Sequence, residues 1–189
     1  MPAGGTKVPC DIAETIERAA RIRMILFDVD GVLTDGTVTV HGDGSESKRF
    51  NIKDGTGIVL AQKAGLLTGL LSGRHSSATL HRAAQLGIPI VRQGSAPKID
   101  VYRQVIAAED LEDEAIAYMG DDVLDLPVLT HVGLSAAPAD AVPDVTARVH
   151  WVSRYPGGHG AARELIELVL RAQGRWDDAL RPYAEAPED

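Results

Sequence analysis

Cysteine is almost missing from this chain: Cys10 is the only one in 189 residues. A single cysteine cannot close an internal disulfide, so the core has to hold the fold, and such usage fits a reducing cytoplasm. No apolar run approaches the roughly 20 residues that a membrane-spanning helix needs. Residues 1–9 lack the apolar core of a signal peptide. Positive charge is also in short supply. Nineteen Lys and Arg stand against 27 Asp and Glu, which leaves −8. That balance disfavours nucleic acid and anionic membrane as partners, and a phosphorylated substrate would need a local cationic pocket. The scattered histidines offer no pair with metal-ligand spacing on a helix, which argues against zinc. Repeats, low-complexity tracts and linkers long enough to separate domains are missing too. What remains is one domain over 1–189, with its core at about 22–173 and loosely held ends.

The chain does hold a regular alternation of patterns. Residues 11–20 place apolar side chains at helical spacing, with acids early and arginine late. Apolar runs at 24–27, 66–71, 88–91, 115–119 and 132–136 predict strands. Several are apolar throughout, as strands covered on both faces are. Helical patterns fall between them at 57–64, 76–86, 98–108 and 123–131, and a last one covers 161–173. The alternation predicts an α/β fold, a doubly wound parallel sheet with helices on both faces. From Trp176 onward the chain is acidic and contains proline, which predicts a fraying end. One segment breaks the rhythm: residues 37–50, with His41-Gly42-Asp43-Gly44 at the turn, read as a β-hairpin. A lone hairpin is marginal in water and has to pack on its own domain or on a neighbouring subunit.

Asp28 and Asp30 stand one residue apart where the first strand runs out into a loop. Two such carboxylates repel each other and are costly to bury unpaired, so the pair makes sense around a cation, with one oxygen kept for chemistry. In a doubly wound sheet, ligands collect beyond the C-terminal ends of the strands. Three more polar clusters fall at such ends. They are Ser72-Gly73-Arg74, then Lys98, and then Gly120-Asp121-Asp122-Val123-Leu124-Asp125. Ser95 as N-cap and Pro97 in the first turn would start the helix that aims Lys98.

These four clusters, in this order, resemble the motifs of the haloacid dehalogenase superfamily of phosphohydrolases. A closer resemblance is to its capless 3-deoxy-D-manno-octulosonate 8-phosphate phosphatases and their relatives that act on nonulosonate 9-phosphates. It is carried by Asp28-Val29-Asp30-Gly31-Val32-Leu33-Thr34-Asp35-Gly36, by Phe50-Asn51-Ile52-Lys53-Asp54-Gly55-Thr56-Gly57 and by Gly157-Gly158-His159-Gly160-Ala161-Ala162-Arg163-Glu164. The matching motifs cover most of residues 24–173. The resemblance implies a cytoplasmic Mg²⁺-dependent phosphatase acting on a small phosphorylated sugar acid. Asp28 would be the nucleophile and would form an aspartyl-phosphate, and Asp30 the general acid and base. Mg²⁺ would be held by an Asp28 oxygen, the Asp30 backbone carbonyl and the Asp121 carboxylate. Asp122 and Asp125 would orient these ligands and Lys98. Ser72 and the Gly73 amide would donate to phosphoryl oxygens, while Lys98 would offset the charge that grows on them.

Arg74 reads as a clamp on phosphate or on a substrate carboxylate, or else as a surface charge. The intervals between motifs are too short for a separate cap domain. The resemblance therefore implies a homotetramer in which neighbouring hairpins complete the site, with Val38, Val40, Phe50 and Ile52 as candidate contacts. His159 departs from the arginine that relatives often carry there, which weakens any grip on an anionic group by the 157–160 loop. A different small phosphate ester stays open as the substrate, and so do two other functional classes, a phospho-acceptor signalling domain and a non-catalytic oligomerisation module. Asp30, two residues past the nucleophile, argues against the first, and the four intact motifs argue against the second.

Overall fold

The structure, a computed structural model, describes residues 11–94 and 97–184. Cys10, residues 1–9 and Ser95, the expected helix cap, lie outside the described residues; Pro97, expected in the first turn, instead stands at the cap position just before Lys98. Helix α1 (Ile12–Ala20) leads into strand β1 (Met24–Phe27). The short strands β2 (Thr39–Val40) and β3 (Glu46–Ser47) follow, then α2 (Ile52–Lys63), β4 (Leu67–Ser72), α3 (Ser77–Gln85), β5 (Ile90–Gln93) and α4 (Lys98–Ala108). The second half runs β6 (Ile116–Met119), α5 (Leu126–Leu129), β7 (Leu134–Ala137), α6 (Pro143–Thr146), β8 (Trp151–Val152), α7 (Ala161–Ala172) and α8 (Trp176–Ala184). No helix among the described residues is long and apolar enough to cross a membrane.

Six strands form one parallel sheet in the order β5-β4-β1-β6-β7-β8. The chain winds outward from β1 to β5, returns to the other side of β1 and winds outward again to β8. The connections diverge beside β1, and a crevice opens there. All four β1 residues are buried because each face is covered. Ile25 and Phe27 join the core beneath α1, α2 and α7, whereas Met24 and Leu26 join the core beneath α4 and α5. This two-residue alternation between cores, with both sides apolar, is why the strand reads as an unbroken apolar run. Each of these side chains contributes about 1.5–3 kcal/mol by leaving water.

Register fixes the level at which the chain leaves the sheet. Phe27 lies opposite both Leu70 and Met119. Asp28, Ser72 and Asp121 follow within two residues of those positions, so three loops emerge together at one sheet edge.

Several elements differ from the sequence expectation. The helix expected at 57–64 begins at Ile52, where Asn51 caps it by accepting from the Lys53 amide at 2.8 Å. Gly55 and Gly57 look like turn residues, yet both are helical. Gly57 is small because α7 presses on it; a Cβ there would stand 2.9 Å from Arg163 Cδ and 3.2 Å from Ile166 Cδ1. The helix expected at 123–131 is a 3₁₀ turn at Val123–Asp125 followed by the single-turn α5. The hairpin is shorter than 37–50, pairing only Thr39 with Ser47 and Val40 with Glu46. Strand β8 and helix α6 carry too few residues to show a period.

The end expected to fray is helical to Ala184. Trp176 is buried, with the guanidinium carbons of Arg163 and Arg171 at 4.9 and 5.0 Å from its ring centre. Lys63 donates to the Tyr183 hydroxyl at 2.8 Å. These contacts outweigh Pro182, whose missing N–H falls near the helix end.

Candidate active site

The loop after β1 is pinned at both ends. The Asp28 amide donates to the Met119 carbonyl at 3.0 Å, which continues the sheet ladder into the site. The amides of Val32, Leu33 and Thr34 then converge on the Val29 carbonyl at 3.3, 3.0 and 3.1 Å. This tight coil turns the Asp28 and Asp30 side chains over the crevice. Gly31 sits at φ +86°, and a Cβ there would overlap the Asp121 carboxylate. Glycine therefore permits both the left-handed turn and the approach of Asp121.

Lys98, the first residue of α4, reaches into the same place. Its ammonium lies 3.0 Å from Asp28 Oδ2 and donates to Asp125 Oδ1 at 2.6 Å. The Tyr118 hydroxyl also donates to Asp125 Oδ1, at 2.5 Å. Asp125 Oδ2 accepts from the Asp121 and Asp122 amides at 3.0 and 3.3 Å. Both Asp125 oxygens are thus committed to holding Lys98, Tyr118 and the 121–122 backbone. Asp122 caps the 3₁₀ turn, accepting from the Val123 amide at 2.6 Å, so its side chain is tied to the backbone. Burial works against the charge of Lys98, but Asp28 and Asp125 more than offset it and raise the lysine's pKa.

Asp30 meets a partner that carries no sequence motif. Lys48, just past β3, places its ammonium 2.6 Å from Asp30 Oδ1 and donates to Oδ2 at 2.8 Å. Arg74 leans on the same carboxylate, with Nε 3.7 Å from Oδ2, and donates to Glu46 Oε1 at 2.6 Å. The hairpin is thereby tied to the site at two points. Only its distance in sequence from the motifs hid Lys48, since no local pattern marks a lysine that turns inward. Ser72 is buried and its hydroxyl donates to the Arg74 carbonyl at 3.1 Å within its own loop.

Asp28, Asp30, Ser72, Gly73, Arg74, Lys98, Asp121, Asp122 and Asp125 all line one open cleft of about 250 Å³. Gly36 and Leu124, which lie within the sequence motifs but have no assigned role there, line it too. The loop at 157–160 packs on the back of the β1 loop: the Gly158 amide donates to the Val32 carbonyl at 2.9 Å, and a Cβ at Gly157 would overlap the Gly31 carbonyl. His159 accordingly lines a neighbouring hollow with Lys53, Arg154 and Arg163 rather than the carboxylate cleft.

The carboxylates suit a divalent cation. One oxygen each of Asp28, Asp121 and Asp125 lies within 4.8 Å of the others. Burial, then the charge of Asp125, pushes the Asp28 carboxyl up to about 7, although Lys98 pulls it down. Burial, then Asp28 and Asp125, does the same to Asp121, again to about 7. Three acids facing one lysine leave negative charge uncompensated. With Asp125 already engaged by four donors, Asp28 and Asp121 are the carboxylates free to take a hard cation, and oxygen donors suit Mg²⁺.

No family model matches the chain. It is 40% identical over 167 residues to the 3-deoxy-D-manno-octulosonate 8-phosphate phosphatase of Escherichia coli K12, which spans 88% of this chain and 89% of that protein. The solved structure of the phosphatase of that name from Yersinia pestis superposes with a TM-score of 0.85 at 40% identity, covering 87% of this chain and 89% of that one. The Moraxella catarrhalis enzyme of that name, in complex with magnesium, phosphate and a KDO molecule, superposes with a TM-score of 0.89 at 29% identity, covering 92% and 99%.

Proposed function

This chain belongs to the 3-deoxy-D-manno-octulosonate 8-phosphate phosphatase family of the haloacid dehalogenase superfamily, and from that premise we propose that it hydrolyses this sugar-acid phosphate with Mg²⁺, through an aspartyl-phosphate on Asp28. The observation that carries the reading is the buried Asp28 carboxylate, 3.0 Å from Lys98 and facing Asp121 across an open cleft. An anion so placed needs cationic neighbours and keeps one face for an electrophile. We assign the Mg²⁺ ligands as the Asp28 and Asp121 carboxylates and the Asp30 backbone carbonyl; the ion offsets repulsion between nucleophile and phosphate dianion and clamps the phosphoryl group.

In the first step, an Asp28 oxygen forms a bond to phosphorus. The bond from phosphorus to the sugar oxygen breaks, and Asp30 gives that oxygen its proton. In the second, Asp30 takes a proton from water as the water oxygen attacks phosphorus, and the bond to Asp28 breaks to release phosphate. Lys98, held by Asp125 and Tyr118, faces the charge that develops on Asp28 and the phosphoryl oxygens. Ser72 and the Gly73 amide, which line the cleft, would donate to phosphoryl oxygens, the Ser72 hydroxyl leaving the Arg74 carbonyl to do so. Arg74 is within reach of the cleft but engaged with Glu46, so gripping substrate requires it to exchange partners.

We place the enzyme in the cytoplasm as one domain, and as a homotetramer whose hairpins cover neighbouring clefts. The test is phosphate release from 3-deoxy-D-manno-octulosonate 8-phosphate and from a nonulosonate 9-phosphate, with Mg²⁺ and with EDTA. The first substrate should have the higher kcat/KM, and EDTA should abolish turnover. Asp28→Asn should remove activity while keeping the fold; turnover near wild type would refute the nucleophile assignment.

A further inference from the structure

We propose that Lys48 is a positioning residue for the carboxylate of Asp30, so that the hairpin sets the geometry of proton transfer; this rests on reading Asp30 as the acid and base. The Lys48 side chain has no exposed surface, and its ammonium stands 2.6 and 2.8 Å from the two oxygens of Asp30. A lysine on a short surface hairpin ordinarily sends its charge into water. Complete burial is costly and persists where the charge is paired. The hairpin has a second tie to the site, Glu46 binding Arg74 at 2.6 Å. What the Lys48 contact adds is specific to Asp30. Hydrogen-bonded at Oδ2 and in ion-pair contact at Oδ1, that carboxylate is restrained from swinging about its side-chain bonds. General acid–base catalysis depends on such placement, since the group has to lie within hydrogen-bond reach of the departing oxygen.

The consequence is a dependence on the leaving group. The ratio kcat/KM covers every step through departure of the ester oxygen. A sugar alkoxide needs a proton as it leaves, whereas nitrophenolate does not. Lys48→Met should therefore lower kcat/KM for 3-deoxy-D-manno-octulosonate 8-phosphate on the order of 10²-fold, mostly through kcat. It should leave kcat/KM for p-nitrophenyl phosphate near wild type. Combining it with Asp30→Asn should cost no more than Asp30→Asn alone, since the lysine acts through that carboxylate. Glu46→Gln, which cuts only the other tie, should affect the two substrates alike. Equal losses on both substrates for Lys48→Met, or a double variant far worse than Asp30→Asn, would overturn the proposal. Wild-type activity in Asp30→Asn would instead sink the acid–base reading beneath it. If Lys48→Met fails to fold by thermal unfolding, Lys48→Gln carries the same comparisons.

Discussion

At the scale of single residues, Asp28 and Asp121 are under a strain that burial and shared negative charge impose and a cation relieves. Both carboxyls stand near 7 in the protein by itself, against an ordinary value of 3.8. A carboxyl with a raised folded-state pKa favours folding while it is protonated, and it loses that contribution as pH climbs from about 4 to about 7. The metal-free protein should accordingly have a lower Tm near pH 8 than near pH 5. With Mg²⁺ held by the ionised carboxylates, as proposed, the gain in Tm on adding it should be larger near pH 8. Thermal unfolding with EDTA or Mg²⁺ across that range checks both trends, and Asp121→Asn should flatten them. A gain from Mg²⁺ that is independent of pH would remove these two carboxyls from the metal site. The same residues show what a sequence reveals. Asp28, Ser72, Lys98 and Asp121 each sit at a strand end or helix start that local pattern locates. Lys48 and Tyr118 join them through contacts 18 and 7 residues away in sequence, and neither contact leaves a local trace.

Among the elements, α2 and α7 show that a signature can be scaffold rather than chemistry. Asp54 of α2 is buried and accepts from the Gly160 and Arg163 amides at 3.2 and 2.8 Å, capping α7 from another helix. Burial raises its pKa, and those two amides draw it some of the way back. Gly57 lets the two helices touch. Packing thus explains Asp54 and both glycines of the 50–57 motif, and the glycines hid the start of α2 because Gly57 is small to admit α7 and Gly55 to admit Arg82 and Leu86, far along the chain. Asp54→Ala would leave two amides at a helix N-terminus without an acceptor. The cost should be about 1–3 kcal/mol in denaturant unfolding, with kcat and KM of the folded enzyme near wild type. A loss of kcat with unchanged stability would move Asp54 from scaffold to chemistry. The sheet was legible for the opposite reason: its central strands are buried on both faces, and apolar runs record that directly. Strand β8 and helix α6 are too short for any period to emerge.

For the whole molecule, the question is what closes the cleft. The short intervals between motifs already exclude a cap domain, and the hairpin in its place has two paired positions on each strand. It is bound to its own site through Lys48 and Glu46, and Phe50 leans on its own core, so some of the expected contact set is internal. Other apolar residues remain uncovered. Val40 is 66% exposed, Ile52 78% and Leu124, on the cleft rim, 72%. Large apolar side chains left in water favour association, and a second chain laid over Leu124 at the cleft would shield the phosphoryl group from solvent. On the proposed assembly, sedimentation should give a tetramer. Val40→Asp places a charge in that contact, and it should shift the protein toward monomer and weaken turnover of the sugar-acid phosphate. The monomer's fold, built on the sheet and both cores, should keep its cooperative unfolding. Turnover that rises with protein concentration along the same curve as tetramer content would tie assembly to the site, whereas a fully active monomer at high dilution would show that the cleft works uncovered.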